Sequence, residues 1–130
     1  MEFTIKTSKR EEVMDITEKI REIVKKHANK ESKACLVYVL HATCSVIVNE
    51  NYDPAICQDI LDFLKKQVPQ GIWEHDKTDG NGDSHIKSII LGPSQIIPIE
   101  NNSLRLGRYQ NISLAEFDGP RERKVIVKIL

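Results

Sequence analysis

The order of hydrophobic patterns along the chain predicts an α+β fold: one strand, a helix, two strands, two further helices and a closing run of strands. Three observations carry that reading. Apolar residues from Val13 to Val24 recur at three- and four-residue steps, the period of a helix with one buried face. Ala34–Leu40 and Cys44–Val48 are near-continuous apolar runs rich in valine, the mark of buried strands. Beyond Pro93 the chain breaks into short apolar segments separated by Asn, Gly and Pro, as successive strands do.

Each element has a local reason. Glu2–Thr7 alternates Phe3 and Ile5 with polar residues, which suits a half-buried strand. Ser8 and Glu11 have the S-x-x-E spacing of a capping box and place the start of the first helix there. Val13, Ile16, Ile20, Ile23 and Val24 form its buried stripe, and His27 continues it as a structural residue. The valine-rich run of Ala34–Leu40 argues for a strand covered on both faces, and the link His41-Ala42-Thr43 then sits at a strand end. Asp53 before Pro54 reads as N-cap and first helical residue, with Ile56, Ile60, Phe63 and Leu64 as the buried stripe and Pro69 as the stop. The segment 70–82 is polar and ends in a Gly-Asn-Gly turn. Asp83 or Ser84 caps a short third helix that runs through Ile90 and stops at Gly92-Pro93. Four strands follow, at 95–99, 103–106, 112–117 and 124–130, the first two joined across Asn101-Asn102. Helices are expected on one side of the sheet, and oligomerisation is one way to cover the other.

Bulk properties narrow the function. A chain of 130 residues, 40% apolar, can bury one core, so residues 1–130 read as a single domain. With 19 basic and 19 acidic residues there is no overall field to draw nucleic acid or an anionic membrane, and any bound anion must meet a local cluster. The N-terminal segment lacks an apolar signal core and no run approaches the roughly 18 apolar residues of a membrane span, which leads to the expectation of a cytoplasmic protein. Cys35, Cys44 and Cys57 are odd in number and widely spaced, a pattern of reduced thiols rather than disulfides or a thiolate clamp.

The polar residues that could carry chemistry lie in loops and at element ends. His41, His75 and His85 could supply three imidazoles to a divalent ion with a fourth position open, or one could serve as general acid or base held by Glu50 or Asp83. The segment Asp79-Gly-Asn-Gly-Asp-Ser-His-Ile-Lys87 joins a glycine turn to a helix N-terminus. Its free N–H groups, with Ser84 and Lys87, suit an anion, and a plain turn with an N-cap explains the same residues without one. Arg121 and Arg123 could fork onto phosphate oxygens or pair with Glu116, Asp118 or Glu122. Cys44 opens an apolar strand, where a thiol behaves as a small hydrophobe rather than as a nucleophile paired with His41.

Four blocks, taken in order, resemble the YjbQ (UPF0047) family. They are His41-Ala-Thr-Cys-Ser-Val-Ile-Val-Asn-Glu-Asn-Tyr-Asp-Pro54, then His75 with Asn81-Gly-Asp-Ser-His-Ile-Lys87, then Gly92-Pro-Ser94, and finally Gln110 with Glu116-Phe-Asp-Gly-Pro-Arg-Glu-Arg123. The resemblance implies a mixed-sheet α+β fold that trimerises around a three-fold axis, with sites near subunit boundaries. It implies His41, His75 and His85 as site histidines with Asn49 and Glu50 close by, and a divalent metal, zinc or magnesium, in the pocket. The implied activity is that of a secondary thiamine-phosphate synthase, a transferase joining a hydroxymethylpyrimidine diphosphate to a thiazole phosphate with loss of pyrophosphate. The family's Gly-Thr-Trp-Gln stretch stands here as Gly107-Arg-Tyr-Gln110, which weakens any aromatic stacking role there.

Three functions are therefore expected to compete. One is a transferase acting on small phosphorylated molecules. Another is a metal-dependent hydrolase using Glu50 as base. The third is a non-catalytic trimeric binder of a small ligand.

Overall fold

The computed structural model describes residues 1–130. Eight strands and three α-helices follow in the order β1 (Glu2–Lys6), β2 (Glu12–Asp15), α1 (Thr17–His27), β3 (Ala34–Val39), β4 (Cys44–Asn49), α2 (Pro54–Gln67), α3 (Gly82–Leu91), β5 (Ser94–Glu100), β6 (Ser103–Leu104), β7 (Asn111–Glu116) and β8 (Glu122–Ile129). A 3-10 turn, Glu74–Lys77, precedes α3. The α+β plan stands. The strands divide between two sheets, β1-β8-β3-β5-β6 and β2-β7-β4, and every pairing is antiparallel.

One apolar core fills the space between the two sheets and α1. Val37 and Val39 of β3, Val46 of β4, Ile97 and Ile99 of β5, Leu114 of β7 and Val125 and Val127 of β8 meet Ile20, Ile23 and Val24 there. A smaller cluster seats Leu61 and Leu64 of α2 on Ala115 and Phe117, so α2 covers the outside of the three-stranded sheet. Strand β7 is thereby buried along its whole length.

Several local expectations change, each for a tertiary reason. The first helix starts at Thr17, not after Ser8: residues Glu12–Asp15 instead pair with Ser113–Glu116 of β7 as a strand. Ser8 bonds Glu12 rather than capping a helix, and Asp15 accepts from Thr17 N at 2.8 Å. His27 and Phe63 are exposed, because the buried stripes of α1 and α2 end at Val24 and turn on Leu61 and Leu64. The third helix takes Asn81, not Asp83 or Ser84, as its cap residue. Asp53 does cap α2, accepting from Ala55 N at 2.9 Å, and Asn101 and Asn102 both adopt the positive φ of the hairpin turn they signalled.

Strand β3 is covered on one face only. Cys35, Val37 and Val39 point into the core, while Tyr38 remains 38% exposed beside Leu40, and Ile96, the cross-strand partner of Leu36, is exposed as well. The valine-rich run thus has an open apolar side in the single chain. No helix is long and apolar enough to cross a membrane.

Candidate functional site

The link between β3 and β4 is stitched to β8. Leu40 N donates to Lys124 O at 3.2 Å, and Lys124 N donates to His41 Nε2 at 2.7 Å. An Nε2 that accepts fixes the neutral tautomer with hydrogen on Nδ1, so the ring offers a donor there and has no lone pair left for a metal. Burial lowers the His41 pKa below its ordinary value of 6.5; Arg123, Lys124 and Arg121 lower it further, and Glu116 alone opposes them. The ring is therefore uncharged at neutral pH.

His85 stands one turn into α3, and His75 on the 3-10 turn before it. Asp76 ties the two together: its carboxylate accepts from Trp73 N at 3.1 Å and from Gly82 N at 2.8 Å. Gly82 must be glycine for this approach, since a Cβ there would lie 2.6 Å from Trp73 Cβ. The His75 and His85 rings consequently meet edge to face with centroids 4.7 Å apart, and His75 Nε2 lies 3.4 Å from Asp79 Oδ2. At the tip of α3, where the sequence left an external anion and a plain capped turn both open, Asp76 accepts from the first helical amide, Gly82 N.

His41 and His85 share a cleft of about 270 Å³ with Tyr38, Ala42, Cys44, Ser88, Ile89 and Pro93. Burial pushes the Cys44 thiol up to about 12, so it stays protonated and is no nucleophile. The hydroxyl of Ser88 is buried with no hydrogen-bond partner, as is Asn81 Oδ1 at the start of the same helix. Ser88 was not anticipated. Its position three residues beyond His85 on one helical face is the signal that could have found it.

The anion-binding set expected of Ser84, Lys87, Arg121 and Arg123 is not assembled, because each is engaged internally. Ser84 donates to Phe117 O at 2.6 Å. Lys87, 1% exposed, donates to Asp83 at 2.9 Å and Glu11 at 2.8 Å, while Arg10 forks onto Asp83 from the other side. Burial alone would raise the Asp83 pKa, but hydrogen bonds and charge from Arg10 and Lys87 outweigh it and hold the carboxyl below its ordinary value. Arg123, 2% exposed, spends Nε and Nη2 on Glu116 and Thr43. Arg121 is exposed but folds back onto Asp118 at 2.9 Å.

Asn49 and Glu50 lie at the opposite end of β4 from His41, roughly 17 Å along the strand. They line a separate cleft with Tyr109 and Gln110. Glu50 therefore cannot hold an imidazole or act on a histidine-bound water within one chain, and the same distance removes Asn49. Nor do three or more His, Cys, Asp or Glu side chains anywhere in the chain stand close enough to hold one ion. The His41–His75–His85 ligand set is thus not formed by a single copy. Two of those rings touch each other, and two line the cleft.

The family model for UPF0047 protein YjbQ-like proteins matches residues 1–130. The chain belongs to this family. A UPF0047 protein of Archaeoglobus fulgidus is 43% identical over 131 residues, covering 100% of both chains, and the UPF0047 protein YugU of Bacillus subtilis is 38% identical over 97% of this chain and 95% of its own. Among solved structures, a YbjQ-like protein of unknown function from Sulfolobus solfataricus superposes with a TM-score of 0.94 at 34% identity, covering 99% of this chain and 94% of that one. An uncharacterized conserved protein of the YjbQ/UPF0047 family from Clostridium acetobutylicum gives a TM-score of 0.93 at 40% identity, over 100% and 99%. The YjbQ-like fold accounts for the whole chain.

Proposed function

We propose that this YjbQ-like chain is a small-molecule enzyme, active as a homotrimer, that works by imidazole acid–base catalysis in the His41–His85 cleft. The observation that carries this reading is the string Asp79–His75–His85, a carboxylate and two touching imidazoles that end in the cleft. His85 makes no side-chain hydrogen bond within the chain, so its ring is free to exchange a proton with a bound molecule. His75, exposed and 3.4 Å from Asp79, packs edge to face against that ring. His41 orients the ligand through Nδ1–H.

Trimerisation is supported by the open apolar side of β3 and β5, where Tyr38, Leu40 and Ile96 are uncovered. Tyr38 belongs both to that face and to the cleft, so an assembly built on it would border the site. Asn49 and Glu50 could reach the cleft only from a neighbouring copy.

The transfer implied by the family resemblance is the first activity to test: formation of thiamine phosphate from hydroxymethylpyrimidine diphosphate and thiazole phosphate, followed by a screen of small phosphate esters. Turnover in either assay should fall by about 10²–10⁴ in His85→Ala, the range typical of a lost acid–base group, with light-scattering mass and circular dichroism unchanged. Unaltered turnover in that variant would defeat the reading. Sensitivity to chelator would instead assign His75 and His85 to a zinc or magnesium ion whose remaining donors come from another copy.

A further inference from the structure

We infer that Ser88 and His41 form an oxyanion subsite at the inner wall of the cleft, built for the carboxylate or phosphate end of a small molecule whose body lies along Tyr38, Ile89 and Pro93. The inference rests on the cleft being the working site, and it adds which end of the ligand is gripped and by what.

The starting point is an unpaired group. Ser88 is 6% exposed and its Oγ has no partner, although a buried hydroxyl without one is costly. Neighbouring serines do not share this state: Ser84 Oγ donates to Phe117 O at 2.6 Å, and Ser45 Oγ donates to Ser88 O at 3.0 Å. The helix around Ser88 is not frayed either, since the same carbonyl also accepts from Gly92 N at 2.8 Å. Those two bonds also saturate a carbonyl in the last turn of α3, the negative end of the helix.

The remaining polar group on that side of the cleft is a donor. Lys124 N holds His41 Nε2, which leaves Nδ1–H to offer. No carboxylate lines the cleft. The cations around His41 are each paired, Arg123 with Glu116, Arg121 with Asp118 and Lys124 with Glu2, so the two uncompensated donors rather than a net field select an anionic group. Tyr38, Ile89 and Pro93 supply apolar walls, so the ligand fits as a short body with one anionic end.

The test uses the full chain labelled with 15N and 13C, titrated separately with inorganic phosphate and with benzoate at matched ionic strength, and followed at the His41 and His85 ring signals. Saturable shifts with phosphate assign a phosphate ester as the anionic end; saturation with benzoate assigns a carboxylate. Ser88→Ala should weaken the saturating anion by about tenfold, while Ser88→Thr, which keeps the hydroxyl, should bind within a few-fold of the parent. Linear drift with both anions, or Ser88→Ala binding like the parent, overturns the subsite. A fall in the melting temperature of Ser88→Ala also overturns it, since that outcome means the hydroxyl has a structural partner. Binding is read without turnover, so a fully active His85→Ala variant would defeat the proposed catalysis and leave the subsite standing. Failure of the anion titrations would do the reverse.

Discussion

Replacing Arg123 with methionine is expected to damage the fold rather than ligand binding, and the size of the damage can be worked out. Arg123 is buried and forks onto Glu116, which is 0% exposed, and the same guanidinium reaches Thr43 Oγ1 at 2.8 Å. Methionine fills much of the same volume but leaves the Glu116 carboxylate with only Thr7 Oγ1 at 2.7 Å and the amides of Phe117 at 3.1 Å and Asp118 at 3.4 Å. Removing one partner of a buried pair costs about 3–5 kcal/mol because the remaining charge is uncompensated. For a chain of this length that corresponds to a fall in melting temperature of roughly 10–25 °C. Scanning calorimetry or circular dichroism at one fixed protein concentration measures it, the concentration being held because assembly shifts the midpoint. The double variant Arg123→Met with Glu116→Leu removes both charges and should recover most of the loss, leaving about 1 kcal/mol for the Thr43 hydroxyl, which loses its partner, while Thr7 Oγ1 keeps Arg121 O at 3.1 Å. A loss under about 1 kcal/mol in Arg123→Met would refute the argument, and so would a double variant no better than the single one.

Other outcomes follow from the same interior. Lys87→Met should destabilise by a similar few kcal/mol, since Asp83 and Glu11 lose the buried ammonium between them, measurable by urea unfolding. Asp83 is held below its ordinary 3.8, so in the folded chain it takes up its proton at lower pH than in the unfolded chain. Its contribution is therefore complete above about that value and disappears as the pH falls below it; Asp83→Asn should flatten the acid limb of a stability–pH profile. His41 is held below 6.5, which makes stability decline as the pH drops from 6.5 toward its folded value, and His41→Gln should remove that slope. Cys44 should resist iodoacetamide in the native state while Cys57, only partly buried, reacts first, as peptide mass mapping would show. Gly82→Ala should be destabilising despite its helical position, because the added Cβ meets Trp73.

Much of the architecture could be read from local pattern. The turn at Asn101-Asn102, the Asp53-Pro54 cap, and the strands around Val37, Val46 and Val125 depend on neighbours within a few residues, and the structure has them where the pattern puts them. The stretch from Ser8 to Asp15 could not be read that way. Its apolar spacing, Val13 then Ile16, fits a helix, and what makes it a strand is pairing with β7 about 100 residues later. The same limit governs the site. Three histidines in polar segments could be picked out, but the meeting of two of them, His41 and His85, with Ser88 in one cleft could not, because a cleft is made of residues from β3, β4 and α3 at once.

By itself, then, the amino-acid order determined the class of fold, the family, and which residue types were available for chemistry. Tertiary structure decided how each polar group is used. Ser84, Lys87 and Arg123 look like anion ligands one by one, yet Phe117, Glu11, Asp83 and Glu116 consume them. The family resemblance implies Glu50 close to His41, yet an extended strand carries it to the other end of β4. The physical reason is range: propensity and periodicity act over a turn or a strand, whereas the pairing of a buried charge is settled by whatever the finished fold brings within hydrogen-bond distance.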